Sequence, residues 1–145
     1  MKLDFELVPD GCWHSNLRSL LKPAEWDKIR RRAYAKAGGR CMICGAKASL
    51  LEAHETWEYD EKLGVQKLAD IRAVCHLCHS VIHIGRTQLA GDEDAAIKHF
   101  MRVNECSYAE YIKALGKANE RHRRLNEVPE WAIDVTFLKK FFAEV

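Results

Sequence analysis

The stretch CHLCHSVIH, residues 75–83, places two cysteines and three histidines close together in the chain. Thiolate and imidazole are the ligands that zinc prefers in proteins, and one tetrahedral site uses four of them. This stretch alone offers five, so either some of these residues do not bind metal or the chain holds two sites. One site would predict a zinc-stabilised structural domain, whereas two sites would predict an enzyme with a separate catalytic ion.

The cysteine spacing predicts one four-thiolate zinc site. Two C-x2-C pairs, CMIC and CHLC, are separated by a segment long enough to fold between them. Such pairs are typical of zinc knuckles, in which each tight turn directs two sulfurs at one ion, whereas a pair of redox motifs is the less favoured alternative. The predicted ligands are Cys41, Cys44, Cys75 and Cys78. Cys12 and Cys106 are isolated in the sequence, and we expect them to be buried apolar residues.

Composition and charge limit the class of protein. The chain has 145 residues, with 48% hydrophobic and 30% charged side chains, which is typical of a globular domain with a core of its own. No apolar run has the roughly 20 residues that a membrane span needs. The N-terminus MKLDFELVPDG mixes charged and apolar residues and is unlike a signal peptide. We therefore expect a reducing, cytoplasmic location, where cysteines bind metal rather than pair.

The elements that must position these ligands follow from local signals. Residues 2–8 alternate and predict a short strand, and the stretch from Pro23 to Ala37 predicts a helix that Gly38 and Gly39 end. SLLEAHETWEYD and VQKLADIRAVC predict two strands around the turn DEKLG, and HSVIHIG predicts two helical turns closed by Gly85. Further helices follow in GDEDAAIKHFMRVN and in SYAEYIKALGKANERHRR, which opens with a capping box, and the apolar tail WAIDVTFLKKFF is expected to dock on the domain.

The order of these elements is knuckle, strand, turn, strand, knuckle and short helix. With CMIC, LEAHE and AVCHLCHSVIH as its motifs, the chain resembles the HNH endonucleases, the ββα-metal nucleases. The resemblance covers about residues 38–86, and the flanking stretches are similar to a subgroup of small bacterial and phage proteins of this type. It implies an α+β fold with a zinc-stapled ββα-metal core and additional flanking helices. We expect one domain over residues 1–145, with a strand and a basic helix in 1–37 and helices and a tail in 87–145.

The resemblance also implies roles for the histidines. His54 would be the general base that takes a proton from water. His79 and His83 stand four positions apart, so they share one face of a helix and would hold a second divalent ion, Mg²⁺, Mn²⁺ or Ni²⁺, beside the structural zinc. His76 lies between the knuckle cysteines, and we expect it to point to solvent or to bond a backbone carbonyl.

The residue before the base histidine departs from the family pattern. Active HNH sites usually carry Asp or His there as a metal ligand, whereas this chain has Ala53, which cannot ligate. Glu55 is the expected replacement if the strand bends at that point, because neighbours on either side of a strand residue share a face. Glu52 lies on the same side as His54 and is the weaker candidate.

A second departure lies before the second knuckle. The family asparagine, which orients the base, is replaced by Asp70, which keeps the acceptor oxygen and loses the amide donor. Gln66 could take this role if the loop is rearranged. The expected catalytic set is therefore His54, Glu55, Asp70 and His79.

Basic residues cluster in and just after the first long helix, although the formal net charge is only +2. Such clusters suit phosphate contacts, and a solvated helix face is the plainer alternative. The cluster consists of Lys28, Arg30, Arg31, Arg32, Lys36 and Arg40.

These features predict a metal-dependent endonuclease that acts on double-stranded DNA in a bacterial cell or phage-infected host, without contact to a membrane. The alternative is a catalytically decayed HNH-derived zinc module that binds DNA or a host protein. A purely structural zinc scaffold is a third interpretation, but it leaves the spacing of His79 and His83 unexplained.

Overall fold

The computed structural model describes residues 1–142 as a mixed α+β fold. The helices are α1 (Leu17–Leu20), α2 (Pro23–Ala37), α3 (His76–Ile82), α4 (Ile84–Leu89), α5 (Glu93–Asn104), α6 (Tyr108–Leu125) and α7 (Lys139–Phe142). The strands are β1 (Glu52–Asp60), β2 (Val65–Val74) and β3 (Ala132–Asp134), and single 3₁₀ turns lie at Asp10–Cys12 and Thr136–Leu138. Within the described residues, no helix is long and apolar enough to cross a membrane.

Helix α2 has the bounds that the sequence predicts. Pro23 occupies the first turn, where its missing N–H is not needed, and the Glu25 carboxylate accepts from the Lys22 backbone N–H at 3.0 Å. At the other end Gly38 adopts the left-handed conformation with φ of 63° and donates to the Tyr34 carbonyl oxygen. The prediction of this helix is confirmed because each of its end signals is local.

The two predicted strands form an antiparallel hairpin. The pairing runs from Glu52 opposite Val74 to Asp60 opposite Val65, and it shifts between Thr56 and Trp57. The third strand, β3, comes from the C-terminal tail and pairs in parallel with the other edge of β2. The expected docking of the tail is thus confirmed, and it takes the form of a strand that the apolar pattern did not indicate.

The two faces of the hairpin meet different helices. On one face, Trp57 and Ala53 pack in an apolar cluster with Trp26 and Ile29 of α2. Since successive strand residues point to opposite faces, His54 lies on the other face, toward α3. Trp57 and Tyr59 are each 8% exposed and are core aromatics.

The segment after the second knuckle is longer than predicted. Helix α3 ends at Ile82, the backbone bends at His83 with φ of −99° and ψ of 50°, and α4 continues through Gly85. The expected stop at Gly85 is therefore wrong. Thr87 stabilises the bend, because its hydroxyl donates to the Ser80 carbonyl oxygen at 2.7 Å.

The N-terminal segment, predicted as a strand, forms none. Its backbone is fixed instead by isolated bonds: Glu6 N–H donates to the Ile82 carbonyl, and Leu3 exchanges two hydrogen bonds with the Asn104 side chain. Leu3 and Phe5 pack in a second apolar cluster beneath α3, α5 and α6. Alternating side chains therefore reflect burial against helices here, and not pairing with a strand.

The C-terminal helices close the second apolar cluster. Phe100 of α5 and Tyr111 of α6 meet at a ring distance of 5.2 Å, and both are almost fully buried. Ser107 caps α6 by accepting from the Glu110 backbone N–H at 3.2 Å, which confirms the serine half of the predicted capping box. The Glu110 carboxylate accepts from the Ser107 hydroxyl at 3.4 Å instead of from the Ser107 backbone N–H.

Candidate metal centres

The four predicted cysteines meet in one cluster. Their sulfur atoms all lie within 4.8 Å of one another, and Cys44 Sγ is 3.8 Å from Cys75 Sγ. The first knuckle is a tight turn in which Gly45, with φ of 76°, donates to the Cys41 carbonyl oxygen. The second knuckle is the start of α3, where Cys75 is the N-cap and accepts from the Cys78 N–H. Each pair is thus positioned by its own local backbone.

The donor chemistry of this cluster fits a structural metal such as zinc. Burial raises the pKa of Cys41, but hydrogen bonds from backbone N–H groups, including those of Cys44 and Ile43, outweigh it and bring the pKa to about 7. Burial and the neighbouring thiols raise the pKa of Cys78. Four crowded thiols therefore oppose each other's ionisation, and a divalent cation supplies the charge that lets all four be thiolates.

Three histidines form a second cluster, on the face of the hairpin that points toward α3. A ring nitrogen of each lies within 4.8 Å of those of the other two. His54 comes from β1, His79 from α3 and His83 from the bend that follows α3, and the rings of His79 and His83 are 4.8 Å apart. His79 and His83 therefore lie side by side, as their spacing of four residues predicts. The hairpin brings His54 to the same point.

Two carboxylates fix the orientation of these rings. Glu52 accepts from His79 Nδ1 at 2.7 Å and from His76 Nδ1 at 3.0 Å. Glu6 lies 2.8 Å from His54 Nε2 and also accepts from the Trp57 N–H at 3.0 Å. A ring nitrogen that donates to a carboxylate leaves the other nitrogen with its lone pair free, so His79 offers Nε2 and His54 offers Nδ1.

The imidazoles of His79 and His83 favour the neutral form. Burial lowers the pKa of His79, although its bond to Glu52 opposes this. Burial, followed by the charges of His79, His54 and Arg86, lowers the pKa of His83 to about 3. Neutral imidazole is the form that binds a metal or accepts a proton. His54 is only 4% exposed, whereas 22% of the His79 side chain reaches solvent, so the cluster is open on one side.

Two expected site residues are not members of the histidine cluster. Glu55 is on the opposite face from His54, where its carboxylate accepts from the Leu17 N–H at 2.7 Å, and burial raises its pKa. Asp70 accepts from the Ile71 N–H and is not part of the cluster. Gln66 is fully buried and donates to the Ser15 carbonyl oxygen, also outside the cluster.

The acidic residues that do contact the histidines are weakly indicated by the sequence or not indicated at all. Glu52 is the weaker candidate of the strand, and it is the one that reaches the cluster. Glu6 gives no signal in the sequence, since it stands alone in an N-terminal segment 48 residues from its partner. His76, expected to point to solvent or to bond a carbonyl, is 78% exposed and shares the Glu52 carboxylate.

The basic residues of α2 lie across the hairpin from the histidines. Arg30 is paired with Asp27 at 2.8 Å, and the Arg32 guanidinium stacks on Phe141 at 5.0 Å. Arg31 and Lys36 are exposed. Arg86, three residues after His83 and exposed on α4, is a cation whose charge acts on His79 and His83. Sequence neighbours of the first knuckle are therefore not spatial neighbours of the histidine cluster.

No family model matches this chain, and neither a curated protein nor a solved structure matches it.

Proposed function

We propose that this chain is a metal-dependent endonuclease of the HNH type, which hydrolyses phosphodiester bonds in nucleic acid. The proposed substrate is double-stranded DNA. The observation that carries the proposal is the convergence of His54, His79 and His83, with one ring nitrogen of each within 4.8 Å of the others. Support also comes from the order of elements, since a hairpin between two knuckles leads into a helix that carries His79 and is followed directly by His83. The four-cysteine cluster holds a structural zinc in this proposal.

His79 and His83 are the residues that would hold the second ion. Both are neutral near pH 7 because burial lowers the pKa of each, and His79 is kept in one orientation by Glu52. An ion bound there supplies positive charge for the phosphate oxygens and for the leaving oxygen. Imidazole donors suit Ni²⁺ or Zn²⁺ better than Mg²⁺ or Mn²⁺, which prefer oxygen ligands.

The role of His54 depends on one nitrogen. Glu6 holds Nε2, so Nδ1 is left either to accept the proton of the attacking water or to serve as a third nitrogen donor. The resemblance to HNH enzymes favours the base, whereas exposure of only 4% favours the donor. In both roles Glu6 stabilises the ring in the productive tautomer, and in both roles the loss of His54 should slow cleavage strongly.

Arg86 is the residue that we assign to substrate phosphate. Its charge acts on His79 and His83, and its side chain is exposed beside them. Arginine binds phosphate oxygens through two parallel N–H groups, which would orient the scissile bond over the cluster. Arg31 and Lys36 of α2 lie across the sheet, so they would contact a different part of the duplex.

The test is cleavage of supercoiled plasmid with Mg²⁺, Mn²⁺ and Ni²⁺ in turn. Wild type should cut with at least one ion, and His54→Ala should lower the rate by about 10²-fold or more. Titration of the second ion then separates the two roles of His54, because loss of a base leaves ion affinity unchanged and loss of a donor weakens it. His122→Ala is the matched control, since His122 is outside the cluster and bonds the Val8 carbonyl oxygen.

A zinc module without activity is the second candidate. The burial of His54 favours it, as does the placement of Glu55 and Asp70 outside the cluster, because within the described residues only Glu6 then lies beside the expected base as an acidic partner. This candidate predicts DNA or protein binding with no cleavage under any of the three ions. A wild-type protein that binds duplex DNA without cutting it would establish this alternative over the enzyme.

A further inference from the structure

A buried histidine outside the HNH-like segment contacts the four-cysteine cluster. His99 of α5 is 4% exposed, and its Nε2 lies 3.1 Å from Cys78 Sγ. Cys78 is itself fully buried. The sulfurs of Cys41 and Cys75 differ from that of Cys78, because they accept from backbone N–H groups of their own knuckles. The Cys78 sulfur is thus supported by a side chain from a distant helix.

The direction of the His99 hydrogen bond follows from its other neighbour. Arg102 Nη2 lies 2.7 Å from His99 Nδ1. A guanidinium has only N–H donors and does not lose its proton in proteins, so Nδ1 must be the acceptor. The ring proton is therefore on Nε2, and His99 donates to Cys78 Sγ. His99 and Arg102 are three residues apart on α5, so they are neighbours on one side of this helix.

We propose that His99 and Arg102 are a positioning pair for the zinc centre: Arg102 selects the tautomer of His99, and His99 donates to the Cys78 thiolate and so strengthens retention of the ion. Four thiolates around one Zn²⁺ carry a net charge of −2. An N–H donor lowers the charge density and the proton affinity of the sulfur that it contacts. The adjacent guanidinium compensates part of the remaining negative charge.

This proposal rests on zinc in the four-cysteine cluster and is independent of nuclease activity. It places part of the zinc centre on α5, outside residues 38–86. Helix α5 thus has two roles in this proposal. It supports the metal site through His99, and it packs in the apolar core through Phe100 and Ala96.

The experiment compares zinc affinity, measured by competition with a chromophoric chelator, and the sulfur-to-cobalt charge-transfer band of the Co²⁺-substituted protein. His99→Leu should lower zinc affinity by about 10- to 100-fold, the usual cost of losing a group that supports a ligand. His99→Gln should recover part of this loss, because its amide can donate to sulfur. His122→Leu, which removes a partly buried histidine that bonds Val8 and Asp10 instead, should change neither quantity.

Arg102→Met keeps the test decisive if His99→Leu does not fold, since the Arg102 side chain is exposed. It frees His99 to carry its proton on Nδ1, so zinc affinity should fall and the cobalt band should shift. An unchanged band in Arg102→Met, or a His99→Gln protein as weak as His99→Leu, would overturn the positioning role and leave His99 as a packing residue. Wild-type protein that retains neither zinc nor cobalt would overturn the zinc centre itself.

Discussion

The two ligand clusters meet on the same short helix and are held in opposite ways. The cysteines sit in two tight turns, and the sulfurs of Cys41 and Cys75 accept from backbone N–H groups two or three residues away. The histidines are oriented by carboxylates from elsewhere in the chain, since Glu52 is 27 residues from His79 and Glu6 is 48 residues from His54. One cluster is therefore built by local sequence and the other by tertiary packing.

Because the two clusters are held in these different ways, we expect different effects from the loss of each. Knuckle loops have little apolar core of their own, so the binding energy of an ion among the cysteines is also folding energy. The histidines lie between a hairpin and a helix that already pack through apolar residues such as Val74 and Val81. Loss of the cysteine site should therefore unfold the protein. Loss of the histidine site should abolish the proposed cleavage activity and leave the protein folded.

The largest effect is expected from Cys78→Ser, which removes a fully buried cluster sulfur. We expect an unfolded or aggregated protein, because structural zinc in small domains contributes on the order of 10 kcal/mol. Thermal melting and metal analysis test this, and wild type should hold about one tightly bound zinc per chain. Cys106→Ser is the matched control, since Cys106 lies outside the cluster and its variant should melt near wild type. Equal melting of wild type with and without metal would contradict the structural role.

His83→Ala should lower the cleavage activity and leave the protein folded. The expected loss of plasmid cleavage is about 10²-fold. Zinc content of the cysteine site should stay at the wild-type value, and excess Mn²⁺ or Ni²⁺ should restore part of the rate by mass action. Robust metal-dependent cutting in the double variant His54→Ala with His83→Ala would place the chemistry elsewhere in the molecule.

Because Arg86 and the basic residues of α2 lie in different places, their substitutions should affect DNA binding and cleavage differently. Arg86→Ala should lower the cleavage rate together with binding, because this residue is exposed beside the histidines. Arg31→Ala with Lys36→Ala should weaken binding to all sequences and flatten its salt dependence, by roughly one unit of slope for each phosphate that is no longer neutralised. Fluorescence anisotropy across a salt series measures both.

Arg30→Ala is the matched control within α2, since the Arg30 guanidinium is already paired with Asp27. Its effect on DNA affinity should be smaller than that of Arg31→Ala. If wild type does not bind duplex DNA at low salt, both the nuclease and the DNA-binding module fail, and a protein partner becomes the better proposal.

The smallest effect is expected at Glu55, which has a structural role on the face away from the histidines. Glu55→Gln keeps an oxygen for the Leu17 N–H, so melting at pH 7 should change little and cleavage should not change. Burial raises the pKa of Glu55 in the folded protein. The folded state therefore binds more protons than the unfolded state above the ordinary carboxyl pKa. Stability of wild type relative to Glu55→Gln should then increase as pH falls from 7 toward about 4.5.

Chemical denaturation at pH 7 and pH 5 measures this difference. A loss of cleavage in Glu55→Gln with unchanged stability would show that Glu55 acts in catalysis, as the sequence pattern predicts.

The sequence by itself determined the parts of the molecule whose causes are local. Helix α2 runs from Pro23 to Ala37 as predicted, because a first-turn proline and a left-handed glycine act through their own backbone. The four cysteines converge because each C-x2-C pair is a turn, and His79 and His83 share a face because helical geometry fixes that spacing.

Tertiary structure alone decided which side chains complete the two clusters. Alternation in residues 2–8 predicts a strand, but the segment lies against helices, and that path carries Glu6 to His54. The side of the strand that faces α3 excludes Glu55 and selects Glu52, and the packing of α5 on α3 brings His99 to Cys78. These contacts join residues far apart in the chain, and their geometry is set by how the helices and the hairpin bury their apolar faces, which no local pattern encodes.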